Sequence, residues 1–600
     1  MKRLIFIEDK KNIKKALAHA GKSAQIIALT PVVGYDLERL GIAYAYPEAY
    51  HSEAEIVDLG MDNFNRLNRF CDHADRRLSA CVDGLDLAFL QAYRFKILFD
   101  ALRIRIFQVK RIIEAEKPDM VLYFSAVAKR DKGAFLFVDE SIYSNVIPLV
   151  GRQKNIPVKV LGVIGRRRLA PRLMLKSAAG MSLATLRSFR SLLRKPAADL
   201  RADIMLLKGG YDISFIRDHL SGRLLQWSGR VQIDEAKVGK TASLLRKAYD
   251  ALVNDAAFRA LLNFEGVDVF PVIGRRLENY FCHEGLNVFR VFLQASELAR
   301  YQRPKMMLTS MLSDARSKAV ARAYKAAGKP VVVWYHGACG YSDNQILYYN
   351  DIAFCDHFLV GGQVAKRFFD RTYCQNGKFV PVGSAKLDRL VAARSGYGDA
   401  MAHQIKTVVY VLTGVMGNMR YISYRQFSDN EYFMLQRRLL DEFKRYPHLQ
   451  FLIKLSPTRH SMTPLKEYID DNQIRNCRLV RDGSFTDLLN KGDLFIFDWP
   501  MTAFLEVLAA GKPVIALDQG IPFYEEALTL ARRRALMAHD VDGLIEHVAR
   551  VLSQGKISVD LSDEAFLRMF GTHLNDGKSA GRAVGFLNGL VSKGEGHVVS

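Results

Sequence analysis

Apolar residues gather along this chain in short, nearly continuous runs, and each run gives way to a longer stretch whose apolar positions recur at helical spacing. In the first half the runs are RLIFIE (3–8), AQIIALT (24–30), DMVLYFS (119–125), VKVLGVI (158–164), DIMLLKG (203–209), KMMLTSM (305–311), PVVVWYH (330–336) and DHFLVGG (356–362). A second series follows with TVVYVLTG (407–414), QFLIKLS (450–456), DLFIFDWP (493–500) and PVIALDQG (513–520). Runs that are apolar on both faces and separated by helices predict parallel strands covered on both sides. Two such series predict an α/β protein of two Rossmann-like, doubly wound domains facing across a cleft.

The pattern lapses at VAARSGYGDAMAHQIK (391–406), where small and polar residues replace it. The expected division is therefore a first domain over 1–395, a second over 406–570 and a C-terminal tail over 571–600. Residues 210–300 are rich in helical spacing and less regular. They read either as a helical insertion or as the latter half of the first domain.

At 600 residues the chain exceeds what one core organises, and a hydrophobic share of 49% with 25% charged residues excludes disorder. No apolar run reaches the roughly 18–20 residues of a membrane span. The opening MKRLIFIEDKKN reads as a first strand and not as a signal peptide. Seven cysteines with no CxxC pair suggest reduced thiols and neither a disulfide framework nor a zinc site. A cytoplasmic location is expected on that account.

Charge changes the picture. Lys and Arg exceed Asp and Glu by 23, which favours polyanionic partners. Residues 166–201 hold ten basic side chains against one acid, Asp199, with Leu183, Leu186, Phe189 and Leu193 at helical spacing between them. That is the pattern of a basic amphipathic helix on an anionic membrane surface, and equally of a helix packed on the protein with a solvated basic face. No nucleic-acid-binding signature accompanies it, so nucleic acid is not an expected partner.

In open α/β sheets ligands sit at the carboxyl ends of strands, so those ends hold the candidate chemistry. The 407–414 run ends in a turn with Gly414 and Gly417, whose amides suit a phosphate, and Arg420 follows. The 450–456 run carries Lys454 inside apolar surroundings and ends at Ser456, near Thr458, Arg459 and His460. A buried lysine calls for an anion, or else snorkels at a sheet edge. The 493–500 run ends at Asp498 and leads through Pro500 to a helix that Thr502 is placed to cap, with Glu506 on its early turns. The run VVVWYHGACGYSDNQ (331–345) finishes a buried strand with His336 at its tip, between valines and a turn bearing Gly337 and Gly340.

These residues carry a resemblance. The stretch TAFLEVLAAGKPV (502–514) resembles the S/T-x-x-x-E-x-L-x-x-G-K-P-V segment of GT-B glycosyltransferases. CDHFLVGGQVAKRFFDRTYCQNGKFVPVGSAKLDRL (355–390) and VVVWYHG (331–337) resemble strands that close the first domain in bacterial capsule, lipopolysaccharide and teichoic-acid transferases, including CDP-glycerol-type polymerases. The resemblance spans about 305–550. It implies that Thr502 and the amides after it hold the donor phosphate, that Glu506 holds the ribose, and that His336 is a base. Transferases using CMP-linked sialic acid or Kdo carry a histidine where this chain has Ser456, so a CMP-activated acidic sugar leads only narrowly over CDP-glycerol and UDP-sugars.

The implied activity is inverting transfer from a nucleotide-sugar, itself a substrate, to a glycan, lipid-linked or glycoprotein acceptor. It uses no cofactor and no metal, since amides, Lys454 and Arg420 suffice for the phosphate and no DxD-like pair ends a strand. His336 has an imidazole suited to taking the acceptor's proton, with Asp343, Glu8, Asp139 and Glu140 as competitors. Donor contacts are expected from Gly414, Gly417, Arg420, Lys454, Ser456, Asp498, Thr502 and Glu506. Two other readings stay open: a sugar-nucleotide 2-epimerase of the same architecture, and a non-catalytic assembly protein docked beside a polysaccharide exporter through 166–201.

Overall fold

The computed structural model describes the chain except residues 22, 127–139, 165–201, 221, 230, 302–303, 336, 338–339, 344, 374, 376, 395–403, 419–426, 456–462 and 594–600. Three parallel sheets organise it. The first has four strands, β1 (Arg3–Ile7), β2 (Ala24–Ala28), β3 (Met120–Ser125) and β4 (Val158–Val163), in the order β2-β1-β3-β4. The second takes β5 (Ile204–Leu206) and β6 (Leu224–Gln226), passes over a small hairpin of β7 (Asn263–Phe264) and β8 (Val267–Asp268), and adds β9 (Met306–Thr309), β10 (Val331–Trp334), β11 (His357–Val360) and β12 (Phe379–Pro381). Its order is β12-β11-β10-β9-β5-β6. The third holds β13 (Thr407–Val411), β14 (Gln450–Lys454), β15 (Cys477–Val480), β16 (Leu494–Phe497), β17 (Val514–Leu517) and β18 (Leu536–Ala538), ordered β15-β14-β13-β16-β17-β18.

The two six-stranded sheets are the expected pair of doubly wound units. The first sheet is an addition. Sequence patterning placed one unit in 1–395, whereas the strand runs there divide between two sheets, the break falling between β4 and β5. Every one of the twelve runs contains a strand, and the central ones are buried throughout, as in β10 and β16. Three neighbouring β-branched valines in β10 suit such a two-sided environment.

The irregular middle of the first half is a helical body. The helices Glu53–Leu78 and Ala92–Glu116 pack with Glu235–Val253, Phe270–Glu278 and Gly285–Arg300 around Phe70, Phe95, Phe99, Phe258 and Phe281. The first of these starts from a capping box in which Ser52 and Glu55 exchange side-chain and backbone hydrogen bonds. Inside the body Lys96 and Asp100 form a wholly buried ion pair, to which Asn63 donates a further hydrogen bond at 2.7 Å.

The expected C-terminal tail is instead part of the core. The helix Ser579–Lys593 returns to the second sheet, where Ala583 and Leu587 are buried against Ile204, Leu308, Val332 and Trp334. The chain thus crosses between the second and third units twice. No helix among the described residues is long and apolar enough to cross a membrane.

Candidate functional site

The loop after β10 leaves its own sheet and is fastened to the third unit. Tyr341 is fully buried, its hydroxyl donates to the Pro500 carbonyl at 3.0 Å, and its ring stacks on Phe523 with centroids 5.3 Å apart. The Tyr341 carbonyl accepts from the Tyr524 amide at 3.0 Å, and Ser342 bridges to Phe523 as a short antiparallel pair. The Asp343 amide completes the staple by donating to the Pro522 carbonyl at 2.9 Å. Asp343, read as a candidate base, therefore has its backbone in the staple and a half-buried side chain.

This staple brings Gly337 against the helix Thr502–Ala509. A Cβ built on Gly337 would lie 3.0 Å from the Thr502 hydroxyl oxygen, and its φ of 135° is one that L side chains rarely adopt. Thr502 is an exposed first residue of that helix, while Met501 occupies the cap position without a side-chain bond. The expected role of Thr502 as the cap is thus corrected. His336, one residue before Gly337, lies outside the described residues.

One turn along the same face, Glu506 is buried and paired with Lys386 Nζ at 2.7 Å. Lys386 stands on the first turn of the helix Ala385–Ala392, which follows β12 of the second sheet. Its amide donates to Asp212 at 3.0 Å, its ammonium lies 4.3 Å from the centre of the Tyr211 ring, and Tyr211 is 64% exposed. Burial pushes the Asp212 carboxyl above its ordinary range, against the hydrogen bonds it accepts from Lys386 and Ser384. Farther on, Arg394 Nε donates to the Ala509 carbonyl at 2.7 Å. The Thr502–Ala509 helix is therefore met along its length by the second unit: Gly337 at Thr502, Lys386 at Glu506 and Arg394 at its end.

The other candidates sit differently. Asp498 is buried at the end of β16 and accepts hydrogen bonds from Tyr410 at 2.6 Å, the Thr413 amide at 2.7 Å and the Thr413 hydroxyl at 2.8 Å. It ties the loop beyond β13 to the loop beyond β16 and makes these bonds within its own unit. Gly414 opens the turn beyond β13. At Gly417, with φ of 53°, the amide donates to Asp429 at 2.8 Å, and the Met416 amide does so at 3.0 Å. Of the two glycines expected to cradle a phosphate, Gly417 thus has its amide taken by a carboxylate of its own unit. Lys454 Nζ donates to the Arg481 carbonyl at 3.1 Å, and its strand β14 lies between β15 and β13 and not at a sheet edge. Its strand β14 is separated from β16 by β13. Arg420, Ser456 and the basic stretch 166–201 lie outside the described residues. Among the described residues no group of three or more His, Cys, Asp or Glu is arranged to hold a metal ion.

Sequence patterning also gave no sign of the first unit's position. The helix Pro31–Arg39 docks on the third unit: Tyr35 packs edge-on against Phe433 and Tyr468, its hydroxyl donates to Asp471 at 2.8 Å, and Arg437 holds Glu38 through two bonds of 2.7 Å. Beyond β13, the buried Asn418 side chain donates to the Glu140 carbonyl at 2.9 Å. The third unit is therefore engaged by both other units. Glu8, another competitor for the base, accepts a hydrogen bond from the Ser141 hydroxyl at the first sheet's carboxyl edge.

Residues 234–527 match the model of a family described as LIC12162 family transferase. No curated protein matches the sequence. Among solved structures, the chain is similar to the UDP-GlcNAc 2-epimerase of Neisseria meningitidis bound to UDP-GlcNAc, at 12% identity and a TM-score of 0.38 over 64% of this chain and 99% of that one. It is similar to the S. aureus MnaA–UDP structure at 12% identity and 0.38, over 65% and 96%. The lipopolysaccharide outer core galactosyltransferase WaaB is similar at 13% identity and 0.36, over 65% and 99%. Likenesses of this size do not discriminate between the activities in those names.

Proposed function

We propose that this chain is a glycosyltransferase that moves a sugar from a nucleotide donor to a cell-surface glycan, lipid-linked or glycoprotein acceptor. The observation that carries the reading is the meeting of Gly337 and Lys386 with the Thr502–Glu506 face of one helix. Two doubly wound units converge there, on a face whose residues resemble a donor-binding segment. The Thr502 hydroxyl and the amides opening its helix hold the donor phosphate, and Glu506 takes the ribose hydroxyls. His336 removes the acceptor proton as the acceptor oxygen bonds to the anomeric carbon. The sugar–phosphate bond breaks with its electrons left on the phosphate, and the configuration inverts. A CMP-activated acidic sugar is the leading donor, with CDP-glycerol and UDP-sugars as alternatives. The excess of 23 positive charges supports attachment to an anionic membrane surface through 166–201.

The test is a thermal-shift panel of CMP, CDP, UDP, GDP and ADP on the wild-type protein and on Thr502→Ala. A cognate nucleotide at a hundred times its Kd adds about 2.7 kcal/mol to folding stability. Stabilisation by one nucleotide, lost in Thr502→Ala, is the expected outcome. Stabilisation by none of them sinks the reading.

A further inference from the structure

Glycosyl transfer leaves a new negative charge on the donor phosphate, which backbone amides and positive side chains are suited to meet. Arg420 and Lys454 are the sequence's candidates for that charge. Lys454 donates to the Arg481 carbonyl on the far side of β13, and Arg394 is held by the Ala509 carbonyl and by Glu564. Lys386 is placed otherwise. Its Nζ stands 2.7 Å from Glu506 on the face that also bears Thr502.

We propose that Lys386 binds the donor's phosphate and meets the charge that develops on it, an assignment that rests on the donor reading above. Glu506 lies four positions after Thr502 on the helix, a rise of about 6 Å, which a lysine pivoting on its own stem spans. In this structure the anion that neutralises Lys386 is the Glu506 carboxylate. A donor whose ribose hydroxyls donate to Glu506 supplies its own anion in exchange, so the ammonium passes from one negative partner to another and is never left unpaired. Two features hold the pivot in place. The Lys386 amide is fixed to the buried Asp212, and the Tyr211 ring lies beneath the ammonium at 4.3 Å. When the bond between anomeric carbon and phosphate oxygen breaks, its electron pair stays on that oxygen, and Lys386 faces the charge. The lysine comes from the second unit, so donor binding also draws that unit onto the third.

The test measures dissociation constants by calorimetry for CMP, CDP and UDP, and for cytidine and uridine, on wild type, Lys386→Met, Lys386→Arg and Glu506→Gln. Lys386→Met is expected to weaken the phosphorylated ligand about ten- to a hundredfold while leaving the nucleoside unchanged. Lys386→Arg is expected to recover most of that affinity. Glu506→Gln breaks the same ion pair, and it is expected to weaken nucleoside and nucleotide alike. If Lys386→Met binds the nucleotide as wild type does, or if it and Glu506→Gln change both ligands equally, the assignment to phosphate is wrong while the donor reading stands. If wild type binds no nucleotide, both readings fall.

Discussion

Two neighbouring turns of the third unit both read in sequence as seats for the donor phosphate, and they differ in what their backbone faces. One follows β13 and carries Gly414 and Gly417. The other follows β16 and leads through Pro500 into the Thr502–Ala509 helix. Each stands at the carboxyl end of a central strand, and β13 and β16 are hydrogen-bonded partners. In the first turn, Asp429 from the next helix of the same unit takes the amides of Met416 and Gly417. In the second, the helix start meets Gly337 and its next turn meets Lys386, both of which belong to another unit. A turn at a strand end offers its amides to whatever lies nearest. Where that is a carboxylate of its own helix the turn is closed on itself, and where it is another unit the turn becomes a meeting point.

The comparison breaks most directly at Tyr341, which anchors the foreign loop beside the second turn. Tyr341→Ala removes a fully buried ring and is expected to cost about 3–5 kcal/mol in denaturant unfolding, together with turnover in the proposed transfer reaction. Tyr341→Phe keeps the stack on Phe523 and loses only the bond to the Pro500 carbonyl, a change of about 1 kcal/mol. If Tyr341→Ala leaves stability and turnover intact, the loop is not held by this residue and its closeness to Thr502 has another cause.

Gly337→Ala is a smaller and more local break. Its Cβ would lie 3.0 Å from the Thr502 hydroxyl oxygen, on a backbone with φ of 135°. The expected cost is about 1–3 kcal/mol, with turnover falling further than stability because the change lands beside the proposed phosphate seat. Parallel losses in turnover and stability would mean that the glycine serves only the chain's path.

The contrast between the turns also explains what could be read in advance. The strands buried on both faces announced themselves, since every residue of β10, β16 and β17 had to be apolar. The edge strands β6, β12, β15 and β18 have three or four residues, are half exposed in part, and present too few apolar positions to stand out. Thr502 and Glu506 were legible because a local spacing carries them. Lys386 was not, because its partner lies 120 positions later and the pairing exists only once two sheets meet. Asp429 was equally hidden: nothing in its neighbourhood tells that it will take the amides of residues 416 and 417. The docking of Tyr35 on Phe433 and Tyr468 belongs to the same class, a contact between distant segments with no local signature.

A milder perturbation tests the closed turn. Asp429→Ala removes a carboxylate that stands at a helix start and accepts from the turn amides of Met416 and Gly417, and is expected to cost about 1 kcal/mol. Because those amides are engaged within their own unit, nucleotide affinity is expected to stay within about twofold, well under the tenfold that 1.4 kcal/mol represents. Nucleotide binding that tightens when Asp429 is removed would show the carboxylate to be holding a phosphate seat shut, and the two turns would no longer differ in kind.

The smallest expected effect concerns Asp498, the strut between the two turns. Burial pushes its carboxyl above the ordinary carboxylate range, outweighing the hydrogen bonds it accepts from Tyr410, Thr413 and Gln436. A carboxyl whose folded value is raised holds its proton in the folded state after the unfolded chain has released it. The folded state then binds more protons than the unfolded state, so this group's contribution to stability falls as pH rises. The fall begins near pH 4, where an unfolded aspartate titrates, and continues up to the raised folded value. Asp498→Asn removes the titration while keeping an acceptor for Thr413, so its unfolding free energy is expected to decline less steeply over that window than that of wild type. Matching slopes would mean that Asp498 titrates alike in both states, and that its hydrogen bonds offset the cost of burying it.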